Sequence, residues 1–143
     1  IDSNKMQIHK DDEKQVKVIA GKFENSEGLI KEHNVEPIYF DIELKKDKEF
    51  SFQIPSTHNT FIYLIDGEVK IGSKEHKKIK NSTLIILEKG EKLNIKGNTN
   101  SKFLLISGKP IGEKIARGGP FVMNTKEEIL NAINDYNNGT FVK

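Results

Sequence analysis

The sequence has 143 residues, which is the length of one domain and makes a second independent core unexpected. Hydrophobic residues make up 35% and charged residues 31%, which predicts a folded globular protein rather than a disordered one. Cysteine is absent, which excludes disulfides, thiol nucleophiles and thiolate metal sites. The net charge is +2 and Arg117 is the single arginine, so we expect no direct nucleic-acid binding through bidentate arginine contacts.

The beginning of the chain carries no targeting signal that we recognise. No apolar stretch approaches the roughly 20 residues that cross a bilayer, and the polar opening lacks the apolar core of a signal peptide. We therefore expect a cytoplasmic protein without a membrane partner. Residues 1–14 are polar and have no clear period, which predicts an arm or linker, and residues 15–143 are predicted to form a single domain.

Short alternating apolar runs predict β-strands in the first half of the chain. Residues 16–21 are predicted to form a short strand, followed by a loop over residues 22–34. Two firmer strands follow, separated by the polar segment 45–48, which we predict to be a hairpin turn. Their inward-facing residues are predicted to be Ile38, Phe40, Ile42 and Leu44 in the first, and Phe50, Phe52 and Ile54 in the second.

The middle of the chain contains several sequence patterns that predict tight turns. Asp66–Gly67 suits a type I′ turn and predicts a β-hairpin with strands on both sides. Further turns are predicted near residues 81–82, 89–90 and 97–98, and the runs between them are predicted strands: Thr83–Leu87, Lys92–Ile95 and Lys102–Ser107. About eight short strands at regular spacing are typical of a β-sandwich or barrel.

The last segment changes to the period of a helix. Thr125 and Glu128 have the spacing of a capping box, and Gly139 is the expected C-terminal stop. We predict one helix over residues 125–138 whose apolar face covers either the outside of the barrel or a neighbouring subunit, and the barrel is the preferred alternative. Its apolar face is predicted to contain Ile129, Ile133 and Tyr136, with Leu130 beside them.

Three segments together resemble one family. Residues 108–141, GKPIGEKIARGGPFVMNTKEEILNAINDYNNGTF, closely resemble the closing signature of pirins, which belong to the cupin superfamily. VKVIAG at residues 16–21 resembles the opening of the second cupin domain of pirins, and HNTFIYLIDGEVKIG at residues 58–72 resembles the central hairpin of that domain. Two departures are Lys114, where many pirins have proline, and Gly118, where a bulkier residue is usual.

This resemblance implies an all-β cupin fold, a double-stranded β-helix or jelly-roll-like barrel, with one C-terminal α-helix. A complete pirin has two cupin domains, and the length of this chain accounts for the second. In pirins the metal site, which is similar to that of quercetin-cleaving dioxygenases, lies in the first domain and is held by three His and one Glu. The present chain therefore has to be searched for such ligands itself.

The positions that correspond to those ligands hold other residues here. Counting back from Gly67 as in the first pirin domain places the two His positions on Gln53 and Pro55 and the Glu position on Asn59, none of which is a competent iron ligand. The segment after Gly90, where a further His is expected, contains none. The four histidines are widely separated: His9, His33, His58 and His76. His58 could point toward the barrel mouth, but a loop or capping role is the preferred interpretation.

Other candidate groups favour structural interpretations as well. Asp41 and Glu43 share one strand face and could suggest acid–base catalysis, but solvated outer-face charges are preferred. No G-x-S-x-G motif occurs, and we expect no positioned His beside the serines Ser51, Ser56, Ser82 and Ser107. Three glycines lack the Lys-Ser/Thr ending of a phosphate loop and are predicted to be loop and turn residues: Gly112, Gly118 and Gly119. We therefore assign no catalytic, cofactor-binding or metal-binding residue.

Three functions remain open from the sequence. The preferred one is a metal-free cupin with a structural or protein-interaction role, which pairs with another cupin domain as a homodimer or with a separate N-terminal pirin cupin domain. The second is a dioxygenase that requires Fe, Cu, Ni or Mn. The third is a barrel that binds a small apolar molecule. Four aromatic residues could line that cavity, although core filling is their preferred role: Phe40, Phe52, Phe61 and Tyr63.

Overall fold

The computed structural model describes residues 5–31, 34–72 and 77–142, excluding the side chain of Lys77. The chain divides into two units, residues 1–110 and residues 111–143. The first unit is built from strands, and the second contains a short hairpin and one helix. Among these described residues, no helix has both the length and the apolar character that a membrane span requires.

The secondary structure agrees with the prediction of an all-β chain that ends in one helix. In the first unit the strands are β1 (Gln7–Lys10), β2 (Lys14–Ala20), β3 (Lys22–Phe23), β4 (Ser26–Glu27), β5 (Ile38–Leu44), β6 (Glu49–Gln53), β7 (Asn59–Asp66), β8 (Glu68–Ile71), β9 (Lys77–Lys80), β10 (Thr83–Ile86), β11 (Lys92–Gly97) and β12 (Ser101–Gly108). In the second unit the elements are β13 (Ala116–Gly118), β14 (Phe121–Met123) and α1 (Lys126–Asn137). β1 lies within the predicted arm and pairs with β2.

The first unit contains two large antiparallel sheets. One has six strands in the order β1-β2-β5-β12-β7-β10, and the other has four in the order β6-β11-β8-β9. The strand ladders therefore form two sheets rather than one closed barrel. The prediction of a loop over residues 22–34 is wrong in part, because β3 and β4 form a small hairpin there.

Two tight turns cross from one sheet to the other. β5 and β6 lie in different sheets, and so do β7 and β8, so the predicted hairpins at residues 45–48 and 66–67 are wrong. Gly67 has a φ of +88°, whereas Asp66 has no positive φ, so the type I′ geometry does not form. A Cβ on Gly67 would lie 2.5 Å from Asn100 O and 2.5 Å from Ser101 Oγ, which leaves no space for a side chain.

The core of the first unit fills the space between these sheets. The predicted inward-facing residues of β5 are buried, as are Phe50 and Ile54, and Phe52 packs against the core. Aromatic rings form a connected cluster, with centroid distances of 5.6 Å between Phe23 and Phe50 and 5.9 Å between Phe50 and Phe103. Alternation of apolar residues therefore predicted which side chains face inward.

The helix of the second unit begins and ends where the sequence predicts. The Thr125 hydroxyl accepts a hydrogen bond from the Glu128 N–H at 3.2 Å, and the Glu128 carboxylate accepts one from the Thr125 N–H at 2.8 Å. These two bonds form the predicted capping box. At the other end Asn138 is the C-cap and Gly139 follows with a φ of +71°, which is the left-handed conformation that favours glycine.

The buried face of α1 differs from the predicted one. Ile129 and Ala132 are buried, whereas Leu130 and Tyr136 are 62% and 67% exposed. The helix packs against the β13–β14 hairpin. A Cβ on Gly118 would lie 2.4 Å from Ile129 Cγ2, so the absence of a side chain at Gly118 allows Ile129 to pack there.

Candidate functional site

The three positions counted back from Gly67 do not face the core. Gln53, Pro55 and Asn59 are all exposed, although the count assumed that they point inward. Along β7 the buried positions are instead Thr60, Ile62 and Leu64, and His58 extends that alternation at the start of the strand. The count therefore identified the outward-facing residues, and the inward-facing side chains at this end of β7 are His58 and Thr60.

His58 belongs to a buried polar cluster. The residue precedes β7 in a turn in which its N–H donates to Pro55 O at 2.9 Å, and the residue is 4% exposed. Its Nδ1 lies 3.2 Å from Ser107 Oγ, which lies 2.8 Å from Thr60 Oγ1. Thr60 and Ser107 are direct partners in the β7–β12 ladder. His58 thus lies in a loop, as predicted, but its burial and its contact with Ser107 were not predicted.

The second nitrogen of the same ring has no hydrogen-bond partner among the described residues. His58 Nε2 is buried from solvent, and none of these residues offers it a donor or an acceptor. Most buried side-chain polar atoms in folded proteins do have a partner. This nitrogen and Asp41 Oδ1 are the two exceptions among the described residues.

A cavity of about 180 Å³ lies beside this cluster. His58 and Thr60 line it from the large sheet, and Leu93 and Asn94 line it from the other sheet. Ile54, Ile71 and Leu87 add apolar walls, and Lys92 and Glu88 contribute one charge of each sign. Polar and apolar groups therefore line the cavity in about equal measure.

The residues of this region do not fit a transition-metal site. Stable sites for these ions use several imidazole, thiolate or carboxylate ligands around one point. His58 is accompanied by two neutral hydroxyls, and within residues 5–31, 34–72 and 77–142 no three His, Asp or Glu side chains are grouped to hold an ion. His9 lies on β1 with its Nε2 3.4 Å from Asp11 Oδ2, and His33 and His76 lie outside the described residues.

The two carboxylates on β5 are part of an ion-pair group. Lys102 on β12 has its Nζ 3.1 Å from Glu43 Oε1 and 3.7 Å from Asp41 Oδ2. The hydrogen bond that the Lys102 ammonium donates to Glu43, together with the charge of Asp41, raises the pKa of this ammonium. Both carboxylates face away from the core, as the sequence predicts, although Asp41 is partly buried. This arrangement supports a structural role rather than acid–base catalysis.

The remaining candidates occupy structural positions. The prediction that no His lies near the serines is wrong for Ser107, whereas Ser51, Ser56 and Ser82 are exposed. Gly112 and Gly119 have positive φ values in loop and turn positions, in agreement with the preferred interpretation, whereas that interpretation is wrong for Gly118, which lies in strand β13. Phe40 and Phe52 belong to the aromatic cluster of the core, in agreement with the preferred role, whereas Phe61 and Tyr63 face outward, so core filling is wrong for these two. None of the four lines the cavity beside His58.

The outer side of the large sheet carries a contiguous apolar surface. In the ladder, Tyr63 on β7 lies opposite both Leu104 on β12 and Leu84 on β10, and the next row places Phe61 opposite both Ile106 and Ile86. We call these six residues the apolar sheet face. Tyr63 is 39% exposed, Leu84 56% and Ile86 80%. The sequence pattern that could have predicted this surface is the run of consecutive apolar residues in β10 and in β12. Such a run indicates a strand with apolar side chains on both faces of the sheet.

Comparison with known proteins assigns this arrangement to a family. The family described as the pirin C-terminal cupin domain matches residues 39–142. The chain belongs to the pirin family. Within that family it corresponds to the C-terminal cupin domain, in agreement with the resemblance found in the sequence.

Individual relatives extend beyond this chain. A pirin-like protein of Solanum lycopersicum is 39% identical over 104 residues, which are 71% of this chain and 36% of the relative. A pirin-like protein of Caulobacter vibrioides is 31% identical over 127 residues, which are 88% and 45% of the two chains. A crystal structure titled quercetin 2,3-dioxygenase from Acinetobacter baumannii has a TM-score of 0.84 at 28% identity and covers 99% of this chain and 49% of its own. The predicted cupin fold is confirmed, and the chain spans about half or less of these relatives.

Proposed function

We propose that this pirin C-terminal cupin domain has a structural role without a bound metal, in which the apolar sheet face packs against a second cupin domain. The observation that carries the proposal is the apolar sheet face itself. Contiguous exposed apolar patches on soluble proteins mark interaction sites more often than scattered single residues do. Six apolar side chains in two adjacent rows across three strands make such a patch.

The geometry of this surface suits another sheet as its partner. Two β-sheets pack face to face at about 10 Å when side chains from both interdigitate. Leu84, Ile86 and Tyr63 project from neighbouring strands and have no charged residue among them. Lys102 and Asp41 lie beside the patch on β12 and β5, and polar and charged groups are typical of the rim of an interface.

The relatives support a cupin domain as the occupant. More than half of the length of the Solanum and Caulobacter relatives lies outside the matched region. That length is sufficient for a further domain of the size of this one. In the chain alone, a second copy offers the same kind of sheet surface, and we therefore expect it to dimerise through this face.

Sedimentation equilibrium tests the proposal. The wild-type chain should form a reversible dimer of the 16.2 kDa protomer. Ile86→Lys should weaken the dimer at least tenfold, because a charged ammonium would be buried at the interface. Ile8→Lys is a matched control, since Ile8 is 48% exposed on β1 at the opposite edge of the same sheet, and it should leave association unchanged. A strict monomer at millimolar concentration, or a dimer whose dissociation constant does not change in Ile86→Lys, would contradict the proposal.

The absence of a resident metal is tested separately. The Acinetobacter structure carries the name of a dioxygenase, and that activity would require a metal ion in this chain as well. We expect elemental analysis of the purified chain to find far less than one Fe, Cu, Ni or Mn per protomer, because His58 has no second ligand beside it. One equivalent of metal that is lost in His58→Ala, together with flavonol turnover, would overturn this part of the proposal.

A further inference from the structure

The outer face of the four-stranded sheet carries a row of like charges. In the ladder, Lys70 on β8 lies opposite both Lys96 on β11 and Lys78 on β9. Side chains directly opposite each other in a sheet have Cβ atoms about 4.5–5.5 Å apart, and like charges in such positions destabilise the fold. We call these three residues the lysine row. The sheet therefore retains three positive charges side by side at a cost to its stability.

The carboxylates of this face neutralise little of that charge. Glu49 Oε1 lies 4.0 Å from Lys96 Nζ, at the end of the lysine row. Glu68 accepts a hydrogen bond from Asn98 Nδ2 at 2.6 Å. Three lysines of this face have no ion-pair partner in the part of the chain that the structure describes: Lys70, Lys78 and Lys80. The face thus presents ammonium groups that the protein itself leaves without a counter-charge.

Protection of a sheet edge explains only part of this pattern. β9 is the outermost strand in the order β6-β11-β8-β9, and lysine on an edge strand opposes edge-to-edge aggregation. That role accounts for Lys78 and Lys80, which lie on β9, but not for Lys70 and Lys96, which lie on the two inner strands. The opposite edge, β6, presents one acidic and two neutral residues on the same face: Glu49, Ser51 and Gln53. Positive charge is therefore concentrated toward β9.

We propose that the edge of β9 binds an extended acidic segment of another protein, which adds a strand to the four-stranded sheet. The side chains of an added strand alternate between the two faces of the sheet, as those of β9 do. Lys78 and Lys80 are exposed on the outer face, whereas Ile79 between them is buried. The segment that fits therefore has carboxylates at alternate positions, beside the two lysines, and an apolar residue between them, beside Ile79.

Charge and side-chain type favour this occupant over two others. If the β9 edges of two copies of the chain met, lysines would lie against lysines. A nucleic acid would match the charge, but single strands also gain affinity by stacking bases on aromatic side chains. Along the described ladders of this sheet, no outward-facing residue is aromatic. An acidic polypeptide uses both the lysines and the backbone groups of the edge strand.

Three capped peptides of one length test the recognition. The alternating peptide is Glu-Val-Glu-Ile-Glu-Val-Glu, its block isomer is Glu-Glu-Glu-Glu-Val-Ile-Val, and a third peptide has Lys in place of every Glu of the first. By fluorescence anisotropy at low salt, the alternating peptide should bind saturably, the block isomer at least fivefold more weakly, and the Lys peptide not at all. Equal affinity of the two acidic peptides, or no saturable binding, would contradict the proposal. Tighter binding of an oligothymidylate of equal charge would assign the face to nucleic acid instead.

Amide hydrogen exchange locates the bound peptide. Strand addition gives the backbone of β9 new hydrogen bonds, so saturation with the alternating peptide should slow exchange of β9 amides at least tenfold. The amides of β6, at the other edge of the same sheet, should not change. Protection of β6 in place of β9, or binding without any protection of β9, would overturn the assignment of the edge.

Variants separate binding from a purely structural role. Lys78→Glu should weaken the alternating peptide at least tenfold, whereas Lys10→Glu, an exposed lysine on edge strand β1 of the other large sheet, should not change its affinity. Lys70→Gln removes the central charge of the lysine row, so the midpoint of thermal unfolding at low salt should rise while peptide affinity falls. A lowered midpoint would give the lysine row a structural role and contradict the proposal.

Unchanged affinity in a folded Lys78→Glu would also contradict it. If that variant does not fold, Lys80→Gln replaces it and should weaken the alternating peptide at least threefold. Equal affinities of Lys80→Gln and the wild type would then rule out β9 as the binding edge.

Discussion

The two units of the chain are held together in different ways. Residues 1–110 bury a continuous apolar core between two sheets, in which Phe50, Phe103 and Leu105 are completely inaccessible to solvent. Within the described part of residues 111–143, the buried hydrophobic side chains are Ile129 and Ala132. The stability of the first unit therefore depends mainly on apolar burial. That of the second depends more on local features, such as the capping box of α1 and the packing of Ile129 against Gly118. A substitution of the same kind should thus have different consequences in the two units.

The largest effect is expected from Phe50→Ala in the first unit. Phe50 is 0% exposed and contacts the rings of Phe23, Phe52 and Phe103, so the substitution leaves a cavity that its neighbours fill only in part. We expect the free energy of unfolding to fall by about 3–5 kcal/mol, measured by denaturant unfolding. Phe141→Ala in the second unit, where Phe141 is 42% exposed, should cost under about 1 kcal/mol. Similar losses of unfolding free energy in both variants would contradict the expected difference between the two units.

Gly118→Ala should be the most damaging small change in the second unit. The added methyl group would lie 2.4 Å from Ile129 Cγ2, and overpacking of this kind costs about 1–3 kcal/mol. Amide hydrogen exchange of α1 should show the loss. Ile129→Ala removes the colliding atom, so the double variant should lose less than the sum of the two single changes. Gly90→Ala, where nothing lies within 4 Å of the added Cβ, is the neutral control.

Thr125→Ala tests the contribution of the capping box. The change leaves the Glu128 N–H without its side-chain acceptor and should cost about 1 kcal/mol of helix stability. The exchange of α1 amides should accelerate, while that of β12 amides should not. Thr125→Ser keeps the hydroxyl and should behave like the wild type. Equal acceleration in β12 would show that the two units open together.

The smallest effect is expected from Asp11→Asn, at the turn between β1 and β2. The Lys14 ammonium at 2.8 Å, with help from the N–H groups of Glu13 and Lys14, lowers the pKa of Asp11 well below its usual value of 3.8. Ionised Asp11 therefore stabilises the fold fully above about pH 4, and this contribution is lost as the pH falls below that value. The side chain is 37% exposed, so solvent and salt screen the effect.

Thermal unfolding between pH 5 and pH 2 measures this effect. The stability difference between wild type and Asp11→Asn should shrink as the pH is lowered. Lys14→Met removes the contact that lowers the pKa most and should lose part of the same pH dependence. A difference that stays constant over this range would contradict the assignment.

The elements of the fold could be predicted where the signal is local. Alternation identified the inward-facing residues of β5 and β6, and the spacing of Thr125 and Glu128 identified the helix cap. The partners of the strands could not be predicted in this way. The turn at Gly67 connects strands of different sheets and lies against Asn100 and Ser101, which are far away in the sequence.

The candidate site was less predictable for the same reason. His58 and Ser107 are 49 residues apart and meet because β7 pairs with β12. The count of metal-ligand positions back from Gly67 was in conflict with the alternation of β6, since inward-facing Phe52 and Ile54 already imply that Gln53 points outward. Strand alternation is therefore the better guide to which residues face the core.

The crossings between sheets also affect how the chain reaches its native state. Both β5 and β7 pair with β12, and neither pairs with the strand that directly follows it in the sequence. The centre of the large sheet therefore joins segments that are synthesised at different times. Proteins dominated by such distant pairings fold in about milliseconds to seconds rather than microseconds. Until β12 has been synthesised, β5 and β7 lack the strand that lies between them and pairs with both.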